Sequence, residues 1–193
     1  MPQFLPPTAR SETRVMMFVD GENLAKRYGA ILKTDAPRSH VAYEPDVYVW
    51  SRYATRINGP QDFIRRYYYT SAPGDQPSRD AIAERLRELG IEAPRVFYRS
   101  RNGRSKRVDI TLATDMLTHA HRKNYDIAIL VAGDEDYVPL VEAVKGEGRR
   151  VVLWFVPDGL SPALRSSVDH YWNMSELLFK DESNSPGFGV IYG

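Results

Sequence analysis

The chain has 193 residues, 42% hydrophobic and 26% charged, enough for one well-cored domain and short for two. A formal net charge of +1 provides no global basic field, so any nucleic-acid footprint has to be local. With no cysteine, disulfides, thiolate zinc sites and a cysteine nucleophile are excluded, and no apolar run approaches the ~18 residues of a membrane helix.

Residues 1–13 carry Pro2, Pro6 and Pro7 and no apolar core stretch, which reads as a disordered lead-in and not as a secretory signal. A cytoplasmic protein with no membrane association is the expectation. Val15-Met16-Met17-Phe18-Val19 is a continuous apolar run, the mark of a strand buried on both faces, and it ends on Asp20-Gly21-Glu22-Asn23. Leu24 to about Leu32 predicts a helix, preceded by a turn that supplies polar side chains and free N–H groups. Residues 33–46 hold Pro37 and Pro45 without periodicity and read as an irregular connection. Val47, Trp50, Ala54 and Ile57 fall at helical spacing and predict a helix ended by Asn58-Gly59-Pro60. Phe63 to Tyr69 is a strand by β-propensity, and residues 71–77 a loop. Ile82, Leu86 and Leu89 mark a helix up to Gly90, and Val96-Phe97-Tyr98 is a short strand.

Arg95, Arg99, Arg101, Arg104, Lys106 and Arg107 then crowd one segment that contains no acid. Val108, Leu112, Met116, Leu117 and Ala120 give the core face of a helix, with Asp109 in its first turn, where a carboxylate also suits the helix dipole. Ile127-Ala128-Ile129-Leu130-Val131 is a further continuous apolar run, as expected of a central parallel strand, and Ala132-Gly133-Asp134-Glu135-Asp136-Tyr137 follows it. A helix to Gly146 or Gly148, a strand over Val151–Val156, a short helix near Pro162–Ser166 and a small closing element over Val168–Leu178 complete the core. The boundaries that follow are a domain over 14–180 and a polar tail over 181–193. Strands alternating with helices predict a single α/β domain, a doubly wound, mostly parallel sheet with helices on both faces.

In such sheets ligands bind beyond the carboxyl ends of the strands, where strand order reverses. Two strand ends deliver Asp20 and the pair Asp134/Asp136, and a helix start delivers Asp109. Each alone has a bland explanation as a turn or helix-cap residue. If the strands carrying Asp20 and Asp134 are neighbours, all four carboxylates face one crevice. Clustered carboxylates without His or Cys match a hard divalent cation, Mg²⁺ or Mn²⁺. His119 and His121, two apart on a helix, face different ways and form no ligand set.

Phe18-Val19-Asp20-Gly21-Glu22-Asn23, Lys106-Arg107-Val108-Asp109 leading into Leu112-Ala113-Thr114-Asp115-Met116, and Ala132-Gly133-Asp134-Glu135-Asp136-Tyr137 resemble an NYN domain. More narrowly they resemble the LabA-like branch of the PIN-like nuclease superfamily, over about Val15 to Leu178. The resemblance implies a PIN-like (Rossmann-like) fold and a metal-binding set of Asp20, Asp109, Asp134 and Asp136. It also matches Asn23 and Asp115 to further family positions. The family usually has Ser before the Gly-Asp and Phe after the second Asp; here these are Ala132 and Tyr137, and the missing serine hydroxyl removes one hydrogen bond near the site.

On this reading Asp20 and Asp134 are metal ligands on rigid strand ends, and Asp109 and Asp136 complete the shell directly or through water. Asn23 either orients a water or the scissile phosphate, or caps the helix. Asp115, about 240° around the helix from Asp109, stands behind the ligands. Lys106 pairs with a phosphate or with the carboxylates. Arg99, Arg101, Arg104, Lys106 and Arg107 offer a path for a nucleic-acid backbone, or else form a solvated surface loop. Tyr43, Tyr48 and Tyr67–Tyr69 either stack on unpaired bases or belong to the core. The function expected is a divalent-metal-dependent nuclease, with RNA as substrate on the resemblance alone. The alternatives are a nucleic-acid-binding or regulatory module with an inactive pocket, and a metal-dependent phosphatase. The apolar tail stretch Pro186–Tyr192 suggests a homodimer.

Overall fold

Two of the continuous apolar runs pair with each other in parallel at the centre of the fold, with Val15 opposite Ile127 and Val19 opposite Val131. In the computed structural model, which describes residues 13–55, 61–100 and 106–180, these runs are β1 (Thr13–Asp20) and β6 (Ile127–Val131). Between them come α1 (Gly21–Leu32), a hairpin of β2 (Val41–Glu44) and β3 (Tyr48–Ser51), and the short α2 (Arg52–Thr55). The chain continues through β4 (Gln61–Ala72), α3 (Gln76–Glu88), β5 (Ala93–Tyr98) and α4 (Lys106–His121). After β6 come a 3-10 turn (Glu135–Tyr137), α5 (Val138–Gly146), β7 (Arg150–Phe155), α6 (Pro162–Ser167), β8 (His170–Asn173) and α7 (Ser175–Phe179).

Six strands form one sheet in the order β5-β4-β1-β6-β7-β8, every pairing parallel. The first half of the chain builds outward from β1 in one direction and the second half from β6 in the other. Strand order therefore reverses between the two strands that end in acids, as the doubly wound reading requires. Successive side chains of β1 point to opposite faces. Val15, Met17 and Val19 pack in the layer that holds Leu24, Ala25 and Tyr28 of α1, Leu86 of α3 and Leu177 of α7. Met16 and Phe18 pack in the layer with Val108, Leu112 and Met116 of α4, Val141 of α5 and Leu164 of α6. Burying each such side chain contributes about 1.5–3 kcal/mol, so a sheet covered on both sides is what these continuous runs demand.

One expected element is of the wrong type. Residues 48–51 are a strand, not part of a helix over Val47–Ile57, and α2 is only a single turn. Val49 and Trp50 are fully buried, and the Tyr68 hydroxyl both accepts from Val49 N (3.0 Å) and donates to Val49 O (3.1 Å). That cross-link to β4 and the edge-on packing of Trp50 on Tyr68 (5.9 Å) override the helical spacing of Val47, Trp50 and Ala54. Ile57 and the Asn58-Gly59-Pro60 stop lie outside the described residues. The connection over 33–46 also holds a strand, β2. Strand β4 runs on through Ser71 and Ala72, expected as loop, and Leu117 is solvent-facing, not core. Of the lead-in expected over residues 1–13, Thr13 already belongs to β1, and residues 1–12, like the tail that motivated a homodimer, lie outside the described residues. Among those described, no helix is long and apolar enough to cross a membrane.

Candidate metal centre

Asp20 is both the last residue of β1 and the N-cap of α1, its Oδ1 accepting the Asn23 N–H at 3.0 Å. A Cβ at Gly21 would stand 2.0 Å from Tyr68 Cε1, so only glycine lets α1 start directly on the strand end. A Cβ at Gly133 would stand 2.3 Å from Phe155 Cε1, so glycine is likewise required where the chain leaves β6 toward Asp134. The two Asp-Gly and Gly-Asp dipeptides thus carry the same steric logic, a backbone pressed against an aromatic ring to aim a carboxylate over the sheet.

The two strand ends are tied together. Asn23 Oδ1 accepts the Gly133 N–H at 3.0 Å, and Gly133 O accepts from Ser161 N at 2.8 Å. Asn23 is therefore neither the helix cap, a part played by Asp20, nor a side chain with its carbonyl oxygen left for water. It clamps the loop that presents Asp134.

Asp20, Asp109, Asp134 and Asp136 line one cavity of about 200 Å³ with Tyr137 and Leu140, and among the described residues no lysine or arginine lines it. The four acids are not equivalent. Asp20 is buried, whereas Asp109, Asp134 and Asp136 are exposed. Burial pushes the Asp20 carboxyl up to about 7, helped by the negative charge of Asp109 and opposed by the hydrogen bonds from Asn23 N–H and Tyr137.

The residue that sequence reasoning passed over is Tyr137. Its ring is buried and its hydroxyl lies 2.9 Å from Asp20 Oδ2 and 3.3 Å from Asp109 Oδ1. With one proton to give, it serves one of the two carboxylates at a time, and Asp20 is the nearer. Burial first, then the two carboxylates, raise its own ionisation well above the ordinary tyrosine value, so it remains a neutral donor. The signal was available: a hydroxyl stands here where the resembled family usually has Phe.

As they stand, no three carboxylates among the described residues converge tightly enough to grip one ion by themselves. The donor set nonetheless fits a hard divalent cation, because Mg²⁺ keeps several waters and takes only one or two carboxylates directly. Four carboxylates around a small cavity, one of them buried beside a like charge, are what such an ion would neutralise.

Other expected residues lie further off. Asp115 accepts from the Tyr69 hydroxyl at 2.9 Å and does not line the cavity. Arg107 stands over the Phe97 ring (5.5 Å) just before Asp109, and Arg99 donates to Asp46 O (3.0 Å) beyond the end of β5. Neither lines the acid cavity. Arg101, Arg104 and the Lys106 side chain lie outside the described residues. Tyr67, Tyr68 and Tyr69 are buried core residues and so is Tyr48, leaving only Tyr43 half-buried. His119 is engaged by the Tyr67 hydroxyl (3.0 Å) and by Asn124 (2.8 Å).

No curated protein matches this chain. Among solved structures it is similar to a protein of unknown function from Vibrio parahaemolyticus RIMD 2210633. The TM-score is 0.66 at 19% identity, covering 89% of this chain and 99% of that one, which speaks for the fold alone. The NYN domain matches residues 14–175, a span that takes in both central strands, the start of α4 and every acid of the cavity. On that match, and with its sheet and acids disposed as described, this chain belongs to the NYN domain family.

Proposed function

We propose that this protein is a divalent-metal-dependent nuclease that hydrolyses phosphodiester bonds of RNA. The observation that carries the reading is one cavity at the strand-order reversal, lined by Asp20, Asp109, Asp134 and Asp136 from three separate parts of the chain. Membership of a family in the PIN-like nuclease superfamily supports the reaction class.

Asp20 and Asp134, on rigid strand ends, would hold Mg²⁺ or Mn²⁺, with Asp109 and Asp136 completing the shell directly or through water. Such an ion, when bound, lowers the pKa of a water and offsets charge on the phosphoryl oxygens. Asn23 keeps the Asp134 loop in register with the end of β1 through Gly133. Tyr137 fixes the rotamer of Asp20 and stabilises its charged form by donating to it. Arg107, in the first turn of α4 two residues before Asp109, supplies positive charge for the approaching backbone. The choice of RNA over DNA rests on the family resemblance.

The same Tyr137 hydroxyl, spanning Asp20 and Asp109, favours a second reading, a nucleic-acid-binding or regulatory module with little turnover. Labelled single-stranded RNA and DNA incubated with Mg²⁺ or Mn²⁺ separate the two. Cleavage abolished by Asp20→Asn and by Asp134→Asn supports the nuclease. Binding of RNA without cleavage by the wild-type chain replaces it with the module.

A further inference from the structure

The Asp134 loop has a second hollow on its other side, and that hollow is differently built. Asn23, Lys26, Arg27 and Ala30 form one stripe of α1, and they face Asp134, Glu135 and Asp136 across a cleft of about 620 Å³. Because α1 and α4 cover opposite faces of the sheet, this cleft and the acid cavity meet only over the loop whose two aspartates line both. One wall is acidic and the other carries hydrogen-bond donors.

The donor wall is held in place. The Arg27 guanidinium lies flat against the backbone at Gly159, where a Cβ would stand 2.0 Å from Arg27 Nε, and its Nη1 is 3.7 Å from Asp158 Oδ1. Both partners of that pair are substantially exposed, so the pairing is weak and leaves the planar donor fork open to a better acceptor. Lys26 Nζ is 3.5 Å from Glu22 Oε2, on the same face of α1. Since Asn23 Oδ1 is committed to Gly133 N–H, the half of that amide left for the cleft is its NH₂, a donor only.

We infer that this cleft seats a backbone phosphate of the nucleic-acid strand whose neighbouring linkage lies over the acid cavity. The inference rests on the nuclease reading for the identity of the strand. A guanidinium, an ammonium and an amide NH₂ on one wall match the non-bridging oxygens of a phosphodiester. The volume falls within the roughly 300–1,000 Å³ of sites that hold nucleotide-sized ligands, larger than a free phosphate requires. The shared Asp134–Asp136 loop makes the two hollows one continuous track, so the strand crosses the crest of the sheet between α1 and α4.

The test is binding of the full chain to a fluorescent single-stranded RNA decamer in EDTA, at several salt concentrations, with cleavage in Mg²⁺ assayed in parallel. The double variant Lys26→Ala/Arg27→Ala is compared with Arg85→Ala/Arg87→Ala, which removes the same charge from the exposed face of α3. The expected result is RNA affinity weaker by about tenfold to a hundredfold in the first variant only. Its salt dependence should also be shallower by about 0.7 in log–log slope for each phosphate that is no longer neutralised. Equal affinities and slopes for the two double variants would overturn the inference, as would AMP or inorganic phosphate binding as tightly as the decamer in an Arg27-dependent way. Cleavage with an unchanged Lys26→Ala/Arg27→Ala protein leaves the nuclease standing and removes the seat. Arg27-dependent binding without cleavage does the opposite, and RNA that is neither bound nor cut removes both.

Discussion

The two ends of the central strands treat the same side chain in opposite ways. At the amino end, Asp126, just before β6, accepts from Arg14 N (3.0 Å), Arg14 Nε (3.2 Å), Arg14 Nη2 (2.9 Å) and Arg149 Nη1 (3.2 Å). Those bonds, led by the Arg14 guanidinium, hold its carboxyl below the ordinary value. At the carboxyl end, Asp20 has a hydroxyl and a backbone N–H for company and another carboxylate nearby, and burial lifts it to about 7. One end is an ion-pair clasp that closes the β1–β6 seam, and at the other a buried carboxyl stands close to a second acid. Two arginines clasp the aspartate at one end, whereas among the described residues no lysine or arginine lines the cavity where four acids meet.

The contrast can be broken most severely by chemistry. Asp20→Asn or Asp134→Asn should reduce metal-dependent RNA cleavage on the order of 10³-fold, while Asp126→Asn should leave it within about twofold. Equal losses at both ends, read as single-turnover rates on folded protein, would erase the distinction.

Stability against pH sharpens it next. The folded state raises the Asp20 pKa from 3.8 to about 7, so folded protein binds that proton more tightly than unfolded chain does. Its contribution is fully present below pH about 4 and is lost as pH rises through 7, a swing on the order of 4 kcal/mol. Asp20→Asn should therefore be more stable than wild type at pH 8, with the gap closing toward pH 4 in urea melts without divalent metal. A gap that is independent of pH would mean the buried charge is compensated by something else.

Asp126 should behave with the reverse sign. Its lowered pKa makes its stabilisation present above the unfolded carboxylate range and lost as pH falls through it. Since its side chain is 36% exposed, Asp126→Asn should cost only about 1–2 kcal/mol at pH 7 after allowing for solvent screening. The smallest effect belongs to Tyr137→Phe. Removing the donor to Asp20 should raise that carboxyl further, by up to about one pKa unit, in a carboxyl NMR titration. An unmoved titration would show that the hydroxyl has no hold on the acid.

Much of this was legible because it depends on local pattern. Val15–Val19, Ile127–Val131 and Val151–Val156 announce buried parallel strands by being apolar without alternation, whereas the close approach of backbone to ring at Gly21 and Gly133 came only with the structure. The hairpin at β2–β3 was not legible. Val47, Trp50 and Ala54 fit a helix equally well, and the tie that decides against it is the hydroxyl of Tyr68, which reaches Val49 through space. The same limit hid Tyr137, whose partners are 117 and 28 residues away, and the Lys26–Arg27 stripe, which reads as an ordinary solvated helix face until the Gly159 loop closes on it.

By itself, then, the order of residues determined the layered α/β architecture, the strand-end placement of Asp20 and Asp134, and the hard-cation character of the acid set. Those follow from hydrophobic periodicity and side-chain chemistry, which act over a few neighbouring positions. Only the tertiary structure decided that Asp20 is buried and the other three acids exposed, that a tyrosine joins two of them, and that a donor-lined cleft shares their loop. Desolvation and hydrogen bonding across more than a hundred residues are properties of how the layers close on one another, and no local pattern encodes them.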